Sequence, residues 1–273
     1  MAVQDPQETD IGKYSERLEG APETKILEWV WQKFGDQAAA TSSFQTQSVP
    51  LLHLIATHVP ELPILFLDTG FHFPETLEFR DQLIEQFGLN VRSLEPRLGH
   101  DGFREKHGKL HQRDPSMCCY LNKVEPLEDA MEEYDAWVSG IRRDQTQQRA
   151  DAPVLQREDD GTLKVCPMVE WTSRDIWNYV NEHDLPAHPL LEEGYMSIGC
   201  APCTQKPTQA MENETAAGQE VTRPSAACTR ILGTSKTRYS QKEGDRDANI
   251  GDRRMWIHRI AVLAGPPWPP QRH

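Results

Sequence analysis

An α/β fold, with a parallel sheet flanked by helices, is what this sequence predicts, and two observations carry the prediction. Short apolar runs of strand length alternate along the chain with segments whose apolar residues recur every three or four positions. Polar turns rich in Ser, Asp and Gly follow directly after two of those runs. Alternation of this kind buries both faces of a parallel sheet under helices. Ligands in such folds sit beyond the carboxyl ends of the strands, where these turns fall.

Residues 1–22 are polar and read as a leader. Residues 23–34 place Ile26, Leu27, Val30, Trp31 and Phe34 on one stripe and predict a helix with one buried face. Residues 38–44 form a short apolar run that ends in a Ser-rich turn, and residues 49–58 are helical again. Residues 62–67 are a second strand candidate, followed by Asp68-Thr69-Gly70. A helix over 75–87, strands over 90–94 and 137–139, and a helix over 172–183 complete the pattern. Thr172, three residues before Asp175, approaches a capping box for the last helix. No internal repeat is present, and 273 residues suit one main domain.

The formal net charge of −13 argues against general nucleic-acid binding, which needs basic surface to displace counterions. A small anionic ligand stays possible, because a few Arg or Lys side chains can dominate a local pocket. No run approaches the eighteen apolar residues of a membrane span, and the acidic start lacks a signal-peptide pattern. The expectation is therefore a cytoplasmic chain with no membrane partner. Six cysteines in that compartment are ligands or reactive thiols rather than a disulfide framework. Cys166, after a further strand candidate, reads simply as a buried apolar side chain.

Cys118-Cys119 and Cys200-Ala201-Pro202-Cys203 together offer four thiolates. Such a set suits either zinc or an iron-sulfur cluster. Adjacent cysteines point apart and fit a tetrahedral ion poorly, which favours the larger cubane. Two longer stretches make the pattern specific. Cys118-Cys119 precedes Lys123-Val124-Glu125-Pro126-Leu127, and His188-Pro189-Leu190 precedes Gly194-Tyr195-Met196-Ser197-Ile198-Gly199 and the second cysteine pair. Together they resemble the two halves of the cluster signature of assimilatory adenylyl-sulfate reductases, within the phosphoadenylyl-sulfate reductase family. Asn122 departs from it, standing where that family commonly has Arg. The resemblance implies a [4Fe-4S] cluster on Cys118, Cys119, Cys200 and Cys203. It also implies the adenine-nucleotide alpha-hydrolase-like (PP-loop) fold, and one nucleotide- and cluster-binding domain over 23–206.

Ser42-Ser43-Phe44-Gln45-Thr46-Gln47-Ser48 lies between a strand and a helix, where backbone N–H groups and hydroxyls can meet a phosphate. By itself such a turn is as often a plain helix cap. It is similar to the family's modified pyrophosphate loop, and Asp68-Thr69-Gly70 is similar to its second nucleotide-facing turn. Ser139-Gly140-Ile141-Arg142-Arg143, with Arg149 downstream, resembles its arginine loop. The substrate-binding set expected on these grounds is Ser42, Ser43, Phe44, Gln47, Ser48, Asp68, Thr69, Gly70, Lys123, Arg142 and Arg143. Arg142 and Arg143 would clamp anionic oxygens. Lys123 would stand between cluster and substrate, offsetting negative charge on both.

The resemblance implies reduction of adenosine 5′-phosphosulfate to sulfite and AMP by a cysteine near the C-terminus, with thioredoxin as reductant and a homo-oligomer as a possible assembly. That cysteine lies in a Glu-Cys-Gly-Leu-His segment, preceded by Gly-Arg-Trp-Ala-Gly, and neither is present. Residues 221–273 instead carry ten Lys or Arg against four Asp or Glu, within a chain of net charge −13. The last base of each codon from Thr208 onward can be read with the first two of the next. The permitted residues then include both lost segments in order. Residues 207–273 therefore read as an aberrant, disordered tail produced by a frame shift. Cys228 stands near the nucleophile's place but in an accidental setting. The rival readings are activity on the 3′-phosphorylated nucleotide, a PP-loop ATP pyrophosphatase of tRNA thiolation, and a zinc- or cluster-bearing nucleotide sensor. The tRNA enzyme would want Ser-Gly-Gly-x-Asp-Ser at the loop and a basic surface.

Overall fold

Three consecutive alanines run through the centre of the molecule. The computed structural model describes residues 8–195 and 197–206. Strand β1, Ala38–Thr41, is buried along its whole length, and its small side chains let helices pack close on both sides. Ile64–Leu67 (β2) and Val91–Leu94 (β3) extend the sheet on one side. Ala136–Val138 (β4), Leu163–Val165 (β6) and Leu155–Arg157 (β5) extend it on the other, giving the order β3-β2-β1-β4-β6-β5. All neighbours are parallel except β5, which runs antiparallel to β6. The predicted sheet thus gains an antiparallel edge, closed by the short connection 158–162.

The two-residue period of a strand divides the core. Ala38, Ala40, Ile64, Phe66 and Val138 face one side. There they meet Ile26, Leu27 and Val30 of α2 (Glu23–Phe34), Leu52 and Ile55 of α3 (Val49–His58), and Ile176 and Val180 of α9 (Ser173–Glu182). Ala39, Leu65 and Trp137 face the other side, against Leu127, Ala130 and Met131 of α8 (Glu125–Met131). Helix α4, Pro74–Phe87, adds Phe79 and Leu83 to the first face, and Gly88 stops it in the left-handed conformation at φ 66°. Thr172 and Asp175 form the capping box that the spacing suggested for α9.

The span read as a polar leader carries helix α1, Glu8–Leu18. Its Ile11 and Ser15 are buried, and Ser15 Oγ accepts a hydrogen bond from Leu155 N at 3.0 Å, so α1 covers the β5 edge. Among the described residues no helix is long and apolar enough to cross a membrane.

Candidate active site

The order of the sheet places the site. From β1 the chain proceeds to β2 on one side, whereas β4 flanks β1 on the other, so a crevice opens between the carboxyl ends of β1 and β4. Ser42 and Ser43 leave β1 there, and Ser139 and Gly140 leave β4.

The first turn is built on its own backbone. Phe44 takes φ 53°, a left-handed conformation uncommon outside glycine, and its N–H donates to Ser42 Oγ at 3.1 Å. Its ring is fully buried and meets Phe66 edge-on, with centroids 5.5 Å apart. Phe44 was expected to face the ligand; its side chain is core, and its contribution is the bent backbone that carries Ser42 and Ser43. Ser48 precedes α3 without a side-chain cap. Gln47 Oε1 accepts from Arg142 at 3.2 Å, and Thr46 Oγ1 accepts from His188 N at 3.0 Å.

The second turn is cross-braced. Gly70 N donates to Asp68 Oδ1 at 3.1 Å, and Phe71 N donates to Thr69 Oγ1 at 3.2 Å. His100, on α5 (Gly99–His107), lies with Nε2 at 2.9 Å from Asp68 O, and Arg80 stands 3.6 Å from the Asp68 carboxylate. Gly70 has φ 69°, and a Cβ there would fall 2.8 Å from the His100 ring.

The two expected arginine clamps separate. Arg142 is buried, its Nε donates to Asp144 Oδ1 at 3.0 Å, and one terminal nitrogen reaches Gln47 in the first turn. Burial lowers its pKa despite Asp144. Arg143 turns away, donating to Ala152 O at 2.9 Å and pairing with Glu19 at 2.5 Å and Glu170 at 3.5 Å. It ties α1's exit to the sheet, and these partners engage the guanidinium that the sequence reading assigned to a clamp. Arg149 is half-buried, donates to Gln145 Oε1, and has its pKa lowered by burial and then by the Arg142 charge.

The cysteines come from two remote segments. Cys118 and Cys119 end α7, Pro115–Cys119, whose Asp114 cap accepts from Met117 N at 3.0 Å. A π-helical turn follows, Tyr120–Val124, of a kind frequent at functional sites. Asn122 in this turn is buried, donates to Cys118 O at 2.8 Å and lies 3.7 Å from Cys118 Sγ. From the other segment, Cys200 Sγ stands 3.4 Å from Thr69 Oγ1, and Ala201 N donates to Phe71 O at 2.7 Å. The second cysteine pair is thereby pinned to the second turn. Burial pushes the Cys118 thiol up to about 11, with Cys200 and Cys203 adding to the rise and Lys123 opposing it. Cys203 is raised by burial and then by Cys200, again opposed by Lys123. Cys118, Cys200 and Cys203 are free thiols, whereas Cys119, read from the sequence as a free ligand thiol, is disulfide-bonded, and Lys123 lies within the field of Cys118 and Cys203. Among the described residues no group of three or more His, Cys, Asp or Glu side chains stands at metal-holding distances.

Sequence reasoning overlooked His188 as a joint of the site. It is fully buried, with Nδ1 accepting from Leu190 N at 3.2 Å and Nε2 at 3.0 Å from Thr76 Oγ1. Desolvation lowers its pKa to about 4, against a small opposing effect of Glu75. Its place before Pro189-Leu190 was the available signal, but only the contact with Thr46 shows what it joins. Cys166 is buried, as the sequence suggested, its thiol pushed up to about 11 by desolvation. Cys228 and the tail 207–273 lie outside the described residues, as do residues 1–7.

Residues 37–206 match the family model described as the phosphoadenosine phosphosulfate reductase domain. Among curated proteins, the adenosine 5′-phosphosulfate reductase of Streptomyces coelicolor is 40% identical over 235 residues, covering 83% of this chain and 98% of that protein. The adenosine 5′-phosphosulfate reductase 1 of Bacillus subtilis is 42% identical over 182 residues, covering 66% of this chain and 78% of that one. Among solved structures, the phosphoadenylyl-sulfate reductase of Candida auris in its phosphate complex superposes with a TM-score of 0.67 at 25% identity. That match covers 75% of this chain and 100% of the other.

Proposed function

This chain belongs to the phosphoadenosine phosphosulfate reductase family, and from that premise we propose that it is an adenosine 5′-phosphosulfate reductase of sulfate assimilation, an oxidoreductase acting on sulfur. The observation that carries the reading is the contact between the two halves of the site. Thr69, in the nucleotide-facing turn, reaches Cys200 at 3.4 Å, beside two further free thiols and Lys123.

The crevice would take the nucleotide along Ser42, Ser43 and Gln47, with Asp68, Thr69 and Gly70 beside it. Arg142, Arg149 and Lys123 would hold the phosphosulfate. Their charges offset that of AMP as it leaves, which lowers the barrier to attack on sulfur. In this reading a cysteine thiolate attacks the sulfur, AMP departs, and the enzyme thiosulfonate is cleared by thioredoxin in thiol exchange, releasing sulfite. In this reading a reducing cytoplasm would keep Cys119 and its neighbours as thiols.

The thiols of Cys118 and Cys203, raised by burial and by neighbouring cysteines, would stay thiolates beside a multiply charged centre such as a [4Fe-4S] cluster. Cys118, Cys119, Cys200 and Cys203 would hold it once Cys119, disulfide-bonded in this structure, is reduced, and its charge would shape the field at the phosphosulfate alongside Lys123. The frame-shift reading makes a separate claim about this chain: it binds nucleotide but lacks the nucleophile's setting around Cys228.

The test is competitive binding of adenosine 5′-phosphosulfate and its 3′-phosphorylated form to anaerobically reconstituted protein, with an absorption spectrum of the same sample. Preference for the unphosphorylated form and a brown iron-sulfur spectrum are expected. A colourless zinc protein, or preference for the 3′-phosphorylated form, would overturn the assignment.

A further inference from the structure

Away from the crevice, three rings from two helices gather at the surface where α3 passes the end of α9. His53, on α3, is half-buried, and its Nδ1 lies 2.8 Å from the Tyr179 hydroxyl. His183 caps the C-terminal end of α9, exposed, with its ring centroid 5.1 Å from that of His53 and 4.1 Å from that of Tyr179. Phe87 and Trp171 wall the cluster, 5.5 Å from His53 and 5.3 Å from Tyr179. None of these side chains serves the nucleotide or the cysteines.

We propose that His53 and His183 form a transition-metal site, with Tyr179 orienting His53 and water completing the coordination. Spacing is the first argument. An imidazole nitrogen binds zinc at about 2.0–2.1 Å, so each ring centre stands about 3 Å from the ion, and two rings at a tetrahedral angle stand about 5 Å apart. The observed separation of the ring centroids, 5.1 Å, matches that spacing.

Orientation is the second argument. A histidine that ligates through one nitrogen usually gives its other N–H to a fixed acceptor, which sets the tautomer. Nδ1 of His53 lies 2.8 Å from the Tyr179 hydroxyl, and in the tautomer whose Nδ1–H donates to that oxygen, Nε2 keeps a lone pair for an ion. Among the described residues no third His, Cys, Asp or Glu completes the set, so the remaining positions are open to water or to an incoming group. Imidazole pairs suit copper, nickel and zinc rather than magnesium or calcium.

The probe is Ni²⁺, added to the full chain while the histidine ring protons are followed by NMR. Wild type and variants are prepared identically, so that any metal held by the cysteines is common to all. The His53 and His183 resonances should broaden before those of His100 or His111. Changing His183→Gln should weaken nickel binding by at least about tenfold, and Tyr179→Phe by a smaller factor, as loss of an orienting partner does. Far-UV circular dichroism of the variants checks that they fold, and His100→Gln serves as a control that keeps full affinity. Nickel affinity within twofold of wild type in folded His183→Gln, or earliest broadening at other histidines, would overturn the proposal.

Discussion

Substituting alanine for Gly70 tests whether the second turn is held as tightly as its bonds imply. Two costs add. A residue with a Cβ pays about 1 kcal/mol to sit at φ 69°. The new Cβ would also lie 2.8 Å from Cδ2 and 2.9 Å from Cγ of His100, too close for any real contact. The ring must then leave Asp68 O, forfeiting a hydrogen bond worth about 1 kcal/mol. The sum is about 2 kcal/mol, measurable as a lower urea midpoint at unchanged slope. The double variant Gly70→Ala, His100→Ala separates the two. It removes the collision and keeps the backbone strain, so the two single effects should overshoot the double by roughly 1 kcal/mol. Nucleotide binding, followed by calorimetry with AMP, should weaken in Gly70→Ala and recover in part in the double variant. A single variant within about 0.5 kcal/mol of wild type, or strict additivity of the pair, would refute the argument that ring and turn are in contact.

Acid should loosen the fold through His188. Its folded pKa of about 4 lies below the ordinary 6.5, so the unfolded chain binds the extra proton between those values. Its contribution is therefore complete above about pH 6.5 and declines as pH falls toward 4, by up to about 3 kcal/mol. His188→Gln should flatten that part of a stability-against-pH curve measured by urea unfolding. The two neighbouring arginines should differ: Arg142→Gln lowers AMP affinity at least about tenfold, the scale of one charge-assisted bond. Arg143→Ala leaves AMP affinity within about twofold and costs at most about 1 kcal/mol of stability, because its partners are partly exposed. Thr69→Val removes the hydroxyl from both Phe71 N and Cys200 Sγ and should destabilise by about 1–2 kcal/mol in the same unfolding assay. Sulfite release should be absent for this chain and restored when the frame after Cys203 is restored. Brisk thioredoxin-dependent turnover by the unaltered chain, or a gene with no insertion or deletion between codons 203 and 208, would refute the frame-shift reading.

Most of the sheet was legible in the sequence, because burial of both strand faces leaves runs such as 62–67 with almost no polar residue. Helices α2, α3, α4 and α9 showed their buried stripes at three- and four-residue spacing. Helix α1 was not legible: among its residues with described side chains only Ile11 and Ser15 are buried, too few to mark a stripe within a polar stretch. Strand β5 was hidden for a similar reason, since Gln156 and Arg157 of this edge strand are not buried.

The motifs likewise fixed which residue types stand beside which in the chain, and so named both cysteine pairs, both turns and the arginine loop. They could not say where a side chain points. Phe44 and Arg143 occupy motif positions yet face the core and Glu19, because a left-handed turn buries one and an acidic neighbour captures the other. Only the folded chain brings Thr69 to Cys200, 131 residues apart, and His188 to Thr46, 142 apart. Local sequence governs the backbone's short-range torsions, whereas contacts across the sheet order depend on which strand lies beside which. That was settled by packing two faces of β1 at once.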